Sequence, residues 1–262
     1  MEKMEYEDRI VCFLDILGFK EHINRTVVGD STQRQENIKR IASAIDSIRY
    51  FTDADKIKQN STKRVTQFSD SIVISFLPNE ESGVFYTLLE LLWIQINLVM
   101  NNMLCRGGIT RGELIHTEKI LFGPAMINAY ILESKAALYP RIILDESIIE
   151  AGIRAHAKHH YSYHELESIM SLLSQDSDGM YYIDYITKAQ SELDEPDYDH
   201  PLYLQNLANI IENGLKATNP SILIKYYWLR EKYNTYVKQV KEHYKDDIDI
   251  DISDAYLQLP EF

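Results

Sequence analysis

Two aspartates that interrupt otherwise apolar stretches are the residues best suited to chemistry. Asp15 ends the apolar run 10–15, which has the pattern of a strand, and Asp70 lies between two short strand patterns within 65–76. Buried carboxylates need partners, and two of them about 4 Å apart repel by roughly 4 kcal/mol at an effective dielectric near 20. Cations between them would remove this repulsion, so the pair predicts a divalent-metal site. The alternative is a pair of solvated turn aspartates, because turns favour Asp.

The elements that must position these aspartates follow in the order strand, helix, strand pair, helix, strand, which predicts a mixed α/β core. The apolar stretch 84–104 nearly fits a membrane span, but its Glu, Gln and Asn residues favour a buried helix. A polar loop is expected at 52–63. The predicted strands and helices of the core are 10–15, 35–51, 65–76, 84–104, 104–116, 124–137 and 141–144.

The C-terminal part has a helical pattern. A late strand opened by a turn is expected within 176–187, and two helices are expected within 201–245, separated at Asn219-Pro220. The aromatic and basic stretch 225–233 has its apolar residues at helical spacing, which predicts docking onto the core. The tail 246–254 is expected to be an edge strand or loosely ordered. These patterns predict a catalytic domain at 1–190 and a C-terminal helical extension with an acidic tail at 191–262.

Composition narrows the class of protein. The chain has 262 residues, 45% of them hydrophobic, which is ample for a substantial core. A formal net charge of −13 argues against nucleic acid and anionic membrane as partners. Cys12 and Cys105 lie in apolar runs and are expected to be reduced, and no signal-peptide pattern opens the chain, which together predict a cytoplasmic protein.

Four segments in order, 13–19, 66–71, 106–112 and 122–134, resemble motifs of the class III nucleotidyl cyclases. The first carries Asp15 and the second carries Asp70, with Ser69 where a glycine is usual. The resemblance implies an α+β fold that is class III cyclase-like: a mixed, mainly antiparallel sheet flanked by helices, with a ferredoxin-like core. It also implies a homodimer with active sites at the subunit interface.

The resemblance further implies a site for two divalent ions, Mg²⁺ or Mn²⁺. Asp15 and Asp70 would bridge both ions, and the carbonyl of Ile16 would add a ligand. The backbone amides of Gly18 and Phe19, at a helix start, suit the β- and γ-phosphates of a nucleoside triphosphate.

Departures from the family pattern concern the base and the transition state. Thr66 and Ile120 stand where adenine-selecting enzymes usually have Lys and Asp and guanine-selecting ones have Glu and Cys. Ile127 and Ile131 stand where the family's helix usually carries Asn and Arg, with Asn128 one residue along. This combination resembles the pyrimidine cyclases of bacterial antiphage (Pycsar) systems, which make cyclic UMP or cyclic CMP that activates a separate effector.

The expected function is therefore a uridylate cyclase in antiphage defence, with UTP favoured as substrate and CTP next. Arg106 and Arg111 are the candidate phosphate-binding cations, with surface ion pairs as the alternative. Asn128 is a candidate for positioning the ribose or phosphate, with helix packing as its alternative. The candidate walls and lid of a pocket for a small base are Thr66, Phe68, Ile120 and Tyr50; for Tyr50 the alternative is a core position.

Two other functions stay open from the sequence. A catalytically degenerate cyclase-fold module could bind a nucleotide or partner without turnover, since Ile127 and Ile131 replace the usual transition-state residues. A polymerase-palm-like or linear-condensing transferase can share a two-aspartate layout.

Overall fold

The structure, a computed structural model, describes residues 5–52, 62–245 and 249–262. Most of the loop expected at 52–63 therefore lies outside the described residues. Within the described residues the strands are β1 (Glu7–Ile16), β2 (Arg64–Phe68), β3 (Ser71–Phe76), β4 (Cys105–His116), β5 (Leu121–Phe122), β6 (Ile142–Leu144), β7 (Leu173–Gln175) and β8 (Tyr181–Ile183).

Helices connect and flank these strands. Two short turns of other types accompany them, a π-helical turn at Leu132–Ala136 and a 3₁₀ turn at Ala189–Glu192. In the described part of the chain the α-helices are α1 (Phe19–Val27), α2 (Ser31–Phe51), α3 (Gly83–Met100), α4 (Pro124–Ile131), α5 (Glu146–Arg154), α6 (Ser162–Ser171), α7 (Pro196–Gly214), α8 (Pro220–Tyr244) and α9 (Ile250–Leu257).

One mixed sheet has the strand order β2-β3-β1-β4-β6-β8-β7, and β5 pairs with β4 beside this path. The pairing of β4 with β6 is parallel, and the other pairings are antiparallel. The first four strands and the helices between them follow the order βααββαβ, which is the ferredoxin-like βαββαβ order with two helices, α1 and α2, in the first connection, and the strands lie as β2-β3-β1-β4. This confirms the predicted α+β fold with a mainly antiparallel sheet flanked by helices.

Alternation along β1 decides what each face of the sheet covers. The even-numbered residues from 10 to 16 lie in the main hydrophobic core. The odd-numbered Val11 and Phe13 lie in a second cluster with Ala125 and Ala129 of α4. Because side chains alternate across a strand, Asp15 continues the odd-numbered row on the α4 face.

Helix α3 is the central helix of the main core. It has the length and apolar character of a membrane span, with a mean hydropathy of 1.5, but 61% of that window is buried inside the fold. It packs against α2, α5, α6 and α7. This is the buried helix that its polar residues predicted.

Both cysteines are free and buried, one on β1 and one on β4, as their apolar runs predicted. Burial raises the pKa of the Cys12 thiol to about 12 and also raises that of Cys105. Neither thiol is therefore a nucleophile at neutral pH.

The C-terminal helices share the main core. Helix α7 packs on α3, α8 packs on α7, and buried Tyr203 and Leu229 belong to the same hydrophobic cluster as the sheet. The predicted break between the two helices is confirmed, because the Asn219 side chain caps α8 by accepting a hydrogen bond from the Ser221 amide, and Pro220 begins the helix.

The expectation of an edge strand or loose chain for the tail is wrong, because residues 250–257 form α9. The Asp249 side chain accepts hydrogen bonds from the amides of Asp251 and Ile252 and so caps the helix. Ile252 and Tyr256, four residues apart, both pack on the core, so the alternating pattern also satisfied helical spacing. Residues 246–248 lie outside the described residues.

Candidate active site

Backbone pairing places the two aspartates next to each other. Asp15 on β1 is the register partner of Ser71, so Asp70 is one residue away in the β2–β3 turn. The Ile16 amide donates a hydrogen bond to the Asp70 carbonyl oxygen over 3.0 Å. The Asp15 side chain is 27% exposed and Asp70 is half-buried, so both can reach a ligand. The structure thus brings together the three residues predicted to hold metal.

The turn that carries Asp70 has a backbone conformation that favours glycine. Ser69 has a φ of 58°, in the left-handed region. A side chain there costs of order 1 kcal/mol. This conformation gives a physical reason for the glycine that the resembling motif usually has where this chain has Ser69.

Electrostatics at Asp15 oppose its ionisation. Burial raises the pKa of the Asp15 carboxyl most, and the charge of Asp70 raises it further. Arg106 and Lys225 act in the opposite direction. The fold therefore places the charge of Asp70 where it opposes ionisation of Asp15, which is the condition that bound divalent cations relieve.

The donor set fits a metal that is shared with a phosphate ligand. In the part of the chain that the structure describes, no group of three or more His, Cys, Asp and Glu side chains is arranged to hold a metal ion. Asp15 and Asp70 supply two carboxylates, and Mg²⁺ is commonly bound by one or two carboxylates together with water and substrate phosphates. The residues therefore fit Mg²⁺ or Mn²⁺ in this mode.

Gly18 lets the chain turn from β1 into α1 just after Asp15. Its φ is 69°, and a Cβ built there would meet nothing within 4 Å, so backbone conformation rather than space explains the glycine. Helix α1 then begins at Phe19, whose side chain is buried. The first amides of a helix lack intrahelical acceptors and are suited to anions, so the predicted phosphate contacts of Gly18 and Phe19 have a structural basis.

Arg106 reaches the aspartates from β4, as the register partner of Asp15. Its Nε lies 3.9 Å from Asp15 Oδ2 and 2.5 Å from Glu133 Oε1. Glu133 is 2% exposed, and burial raises the pKa of its carboxyl while the charge of Arg106 lowers it. Arg106 therefore forms an ion pair at the site rather than on an open surface. The sequence analysis did not identify Glu133.

Gly107 and Gly108 let neighbouring elements lie close against β4: β1 beside Gly107, and α4 with the π-helical turn beside Gly108. A Cβ on Gly107 would be 2.6 Å from the Phe13 carbonyl oxygen, and one on Gly108 would be 2.9 Å from Leu132 Cβ. The π-helical turn carries Glu133, and such turns are frequent at functional sites.

Lys225 on α8 is a second cation at this cluster, and the sequence analysis gave it no role. Burial raises the pKa of Asp15 and of Glu133, and the positive charge of Lys225 acts against that rise in both. Its stretch, 225–233, was assigned only to docking. A lysine on a helix face otherwise rich in apolar residues was the available signal, but nothing in the sequence connects it with β1.

Thr66 ends a chain of buried hydrogen bonds. Its Oγ1 lies 2.9 Å from His116 Nε2, and His116 Nδ1 lies 2.8 Å from Ser75 Oγ. Arg9 Nε donates to the same Ser75 oxygen over 2.9 Å. Burial, followed by the charge of Arg9, lowers the pKa of His116 to about 4, so its ring is neutral at pH 7. His116 was not identified from the sequence, since 50 positions separate it from Thr66.

Arg111 is placed away from the aspartates, which corrects its expected phosphate role within one chain. Its register partner on β1 is Ile10, and its guanidinium bonds both carboxylate oxygens of Asp8, the shortest contact being 2.6 Å. This exposed pair is the alternative that the sequence analysis left open. The physical reason is the register of β4, which puts Arg111 five residues beyond Arg106.

The remaining predicted residues lie at the surface. Phe68 is 81% exposed, Tyr50 is 73% exposed and Ile120 is 37% exposed. Asn128 is on the exposed side of α4. A core position for Tyr50 and a packing role for Asn128 are therefore wrong, and any ligand role for these residues would need a surface opposite them.

Comparison with known proteins gives little more. No protein-family model matches the chain, and no curated protein matches it. Among solved structures, the chain is similar to the crystal structure of a class III adenylyl cyclase-like ATP-binding protein from Pseudomonas aeruginosa. The two are 11% identical with a TM-score of 0.37, over 93% of this chain and 73% of the other. A likeness at this level assigns no function, and the fold rests on the strand order and pairing given above.

We predict that Asp70→Asn abolishes the stabilisation of the protein by Mn²⁺ without lowering its stability in the absence of metal. With EDTA, the variant should melt at the wild-type Tm or up to about 3 °C above it, because the group that raises the pKa of Asp15 is gone. With Mn²⁺, the wild-type Tm should rise by mass action and the variant's should not. Thermal unfolding with and without Mn²⁺ measures both. Asp46→Asn, at an exposed position on α2, is the control. An equal Mn²⁺-dependent rise in the Asp70 variant would contradict the metal assignment.

Proposed function

We propose that the protein is a pyrimidine nucleotide cyclase that converts UTP, and CTP as the second choice, to the 3′,5′-cyclic nucleotide and pyrophosphate. The observation that carries this proposal is the placement of Asp15 and Asp70 side by side at the end of β1, directly before the glycine that starts α1. The product would serve as a second messenger for a separate effector in antiphage defence, as the resembling systems do.

In this reaction the ribose 3′-oxygen forms a new bond to the α-phosphorus, the bond to the β-phosphate oxygen breaks, and the 3′-hydroxyl proton is released. Asp15 and Asp70 would hold two Mg²⁺ or Mn²⁺ ions, which when bound activate the 3′-hydroxyl and neutralise the leaving pyrophosphate. The amides at the start of α1 would bind the β- and γ-phosphates. Arg106, already beside Asp15, would contribute positive charge at the phosphates.

The absence of purine selectors supports a pyrimidine substrate. Thr66 and Ile120 occupy the two positions where the resembling family carries charged or thiol side chains for purines. The Thr66 hydroxyl also forms a hydrogen bond with His116, whose ring is neutral. A short, fixed hydroxyl at this position suits a small base better than a long flexible cation would.

The direction of the hydrogen-bond chain supports uracil over cytosine. Arg9 can only donate, so Ser75 accepts from it and its own hydroxyl proton is available for His116 Nδ1. If Ser75 donates that proton to Nδ1, the single N–H of the neutral imidazole is on Nε2 and donates to Thr66. The Thr66 proton is left to donate to a ligand. At its 4-position uracil presents an accepting oxygen, where cytosine presents a donating amino group.

In a homodimer, the second subunit would supply a protein surface opposite the exposed site residues. Phe68 lies in the same sheet row as Asp15, through Ser71, and is therefore on the α4 face. On that face, Ile127 and Tyr130 of α4 are 60% and 53% exposed. Large apolar side chains exposed together mark interaction surfaces. A second copy covering them would bring its own Thr66 and Asn128 regions towards Asp15 and Asp70.

A degenerate cyclase-fold module is the second candidate function. The observation that favours it is that Ile127 and Ile131, both exposed on α4, replace the polar residues that the resembling family uses. The close placement of Asp15 and Asp70 disfavours it, because a binding module gains nothing from two carboxylates that repel each other.

We predict that Asp70→Asn lowers formation of cyclic UMP from UTP and Mn²⁺ by at least about 100-fold, because one of two metal-binding carboxylates is lost. Chromatography of the reaction mixture measures the product, and circular dichroism checks the fold. Asp46→Asn should retain wild-type activity. Undiminished cyclic UMP from the Asp70 variant would refute the proposed role of this pair.

We predict that Thr66→Val narrows the preference for UTP over CTP by about tenfold, because the donor to the uracil oxygen is removed. The measurement is the ratio of kcat/KM for the two substrates. Thr235→Val, at an exposed position on α8, should leave the ratio unchanged. A ratio that is the same in the Thr66 variant and the wild type would show that Thr66 does not read the base.

A further inference from the structure

Helix α8 is fixed to the sheet by one buried carboxylate. Asp176 accepts hydrogen bonds from Trp228 Nε1 over 2.7 Å and from Lys232 Nζ over 3.0 Å. It also pairs with Arg141, which is fully buried, over 2.6 Å. The Trp228 ring stacks on Tyr139 with centroids 5.5 Å apart and planes 5° from parallel. Rotation or sliding of α8 would break all of these contacts together.

This anchor also fixes α8 relative to the strand that carries Arg106. The Arg141 carbonyl oxygen accepts a hydrogen bond from the Gly107 amide over 3.1 Å, one residue after Arg106. Lys225 precedes Trp228 by three residues and Lys232 by seven, so it shares their helix face. The same contacts that dock α8 therefore determine where Lys225 lies.

Lys225 carries a charge that no carboxylate of the described residues neutralises by direct contact. It is half-buried, and in the described part of the chain it forms no ion pair within 4 Å. Burial lowers the pKa of its ammonium most, Arg106 lowers it further, and Asp15 and Glu133 raise it. Arg106, in contrast, is already engaged by Glu133 at 2.5 Å.

A charge count shows what the site lacks. A triphosphate carries roughly −4 and the two aspartates −2, against +4 from two divalent ions, which leaves about −2. Arg106 offers +1, but its contact with Glu133 offsets that charge. Lys225 is a further cation that acts electrostatically on the same cluster. An ammonium is a point charge suited to phosphate oxygens.

We propose that Lys225 binds the phosphate chain of the nucleotide at the site of Asp15 and Asp70, so that the C-terminal extension completes the substrate-binding site. This rests on the proposed function, because it takes a nucleoside triphosphate as the ligand. It gives α8 a part in substrate binding besides its packing on the core.

The test compares Lys225→Met, Lys225→Arg and the control Lys238→Met, which removes an exposed lysine from the same helix. Steady-state formation of cyclic UMP should show KM for UTP raised about 10- to 100-fold in Lys225→Met. Lys225→Arg should recover most of that loss, since it restores the charge. Lys238→Met should match the wild type, and all variants should share its Tm.

A binding measurement separates this inference from the proposed function. Calorimetric titration with inorganic tripolyphosphate and Mn²⁺ needs no turnover, and Lys225→Met should bind about 10- to 100-fold more weakly than the wild type. A wild-type protein that forms no cyclic nucleotide would refute the proposed function. The titration would still test whether Lys225 binds phosphate. Wild-type KM and wild-type tripolyphosphate affinity in Lys225→Met would overturn the role of Lys225. If Lys225→Met does not fold, Lys225→Gln replaces it in both measurements with the same criteria.

Discussion

Antiparallel pairing of β1 with β3 holds Asp15 and Asp70 next to each other, at a position where burial and the charge of Asp70 both raise the pKa of Asp15. The hydrogen bond from the Ile16 amide to the Asp70 carbonyl oxygen closes the turn onto β1, so the backbone positions of the two aspartates cannot separate without breaking the sheet. Burial is the larger cause of the raised pKa of Asp15, and the charge of Asp70 adds to it. The fold therefore supplies, from its backbone hydrogen bonds and buried core, the free energy that the repulsion costs.

The neighbouring structure offsets part of that cost. Arg106 stands opposite Asp15 on β4, and its ion pair with Glu133 keeps it there. Glu133 reaches this position because Gly108 on β4 lets α4 and the π-helical turn approach the strand. Lys225 adds a second positive charge from α8. The formal charges of the three carboxylates and two cations in the cluster leave about one negative charge without any ligand. The cluster is therefore able to take up metal ions and phosphate together.

Local patterns were enough to predict the elements that carry the site. The apolar run ending at Asp15 and the two short strand patterns on either side of Asp70 each consist of consecutive residues, so these strands were predicted. The prediction for the tail was wrong because its alternation of Asp with Ile also fits the spacing of a strand. The cap at Asp249 and the burial of Tyr256 instead stabilise a helix.

Contacts between distant residues could not be predicted in the same way. Glu133 and Lys225 meet Asp15 only after the sheet, the π-helical turn and α8 are in place. The same holds for His116, which reaches Thr66 across 50 positions, and for Arg111, whose strand register turns it towards Asp8. The spacing of residues along one helix or strand does not determine which charged residue of another element they will contact.

The most direct test of the account is the identity of the product that the wild-type protein makes from each of the four common nucleoside triphosphates with Mn²⁺, determined by mass spectrometry. The account predicts cyclic UMP and pyrophosphate from UTP, a smaller yield of cyclic CMP from CTP, and no cyclic product from ATP or GTP. Pyrophosphate release with only linear products would contradict it and indicate a condensing transferase. Nucleotide binding without any turnover would contradict it in favour of a degenerate module.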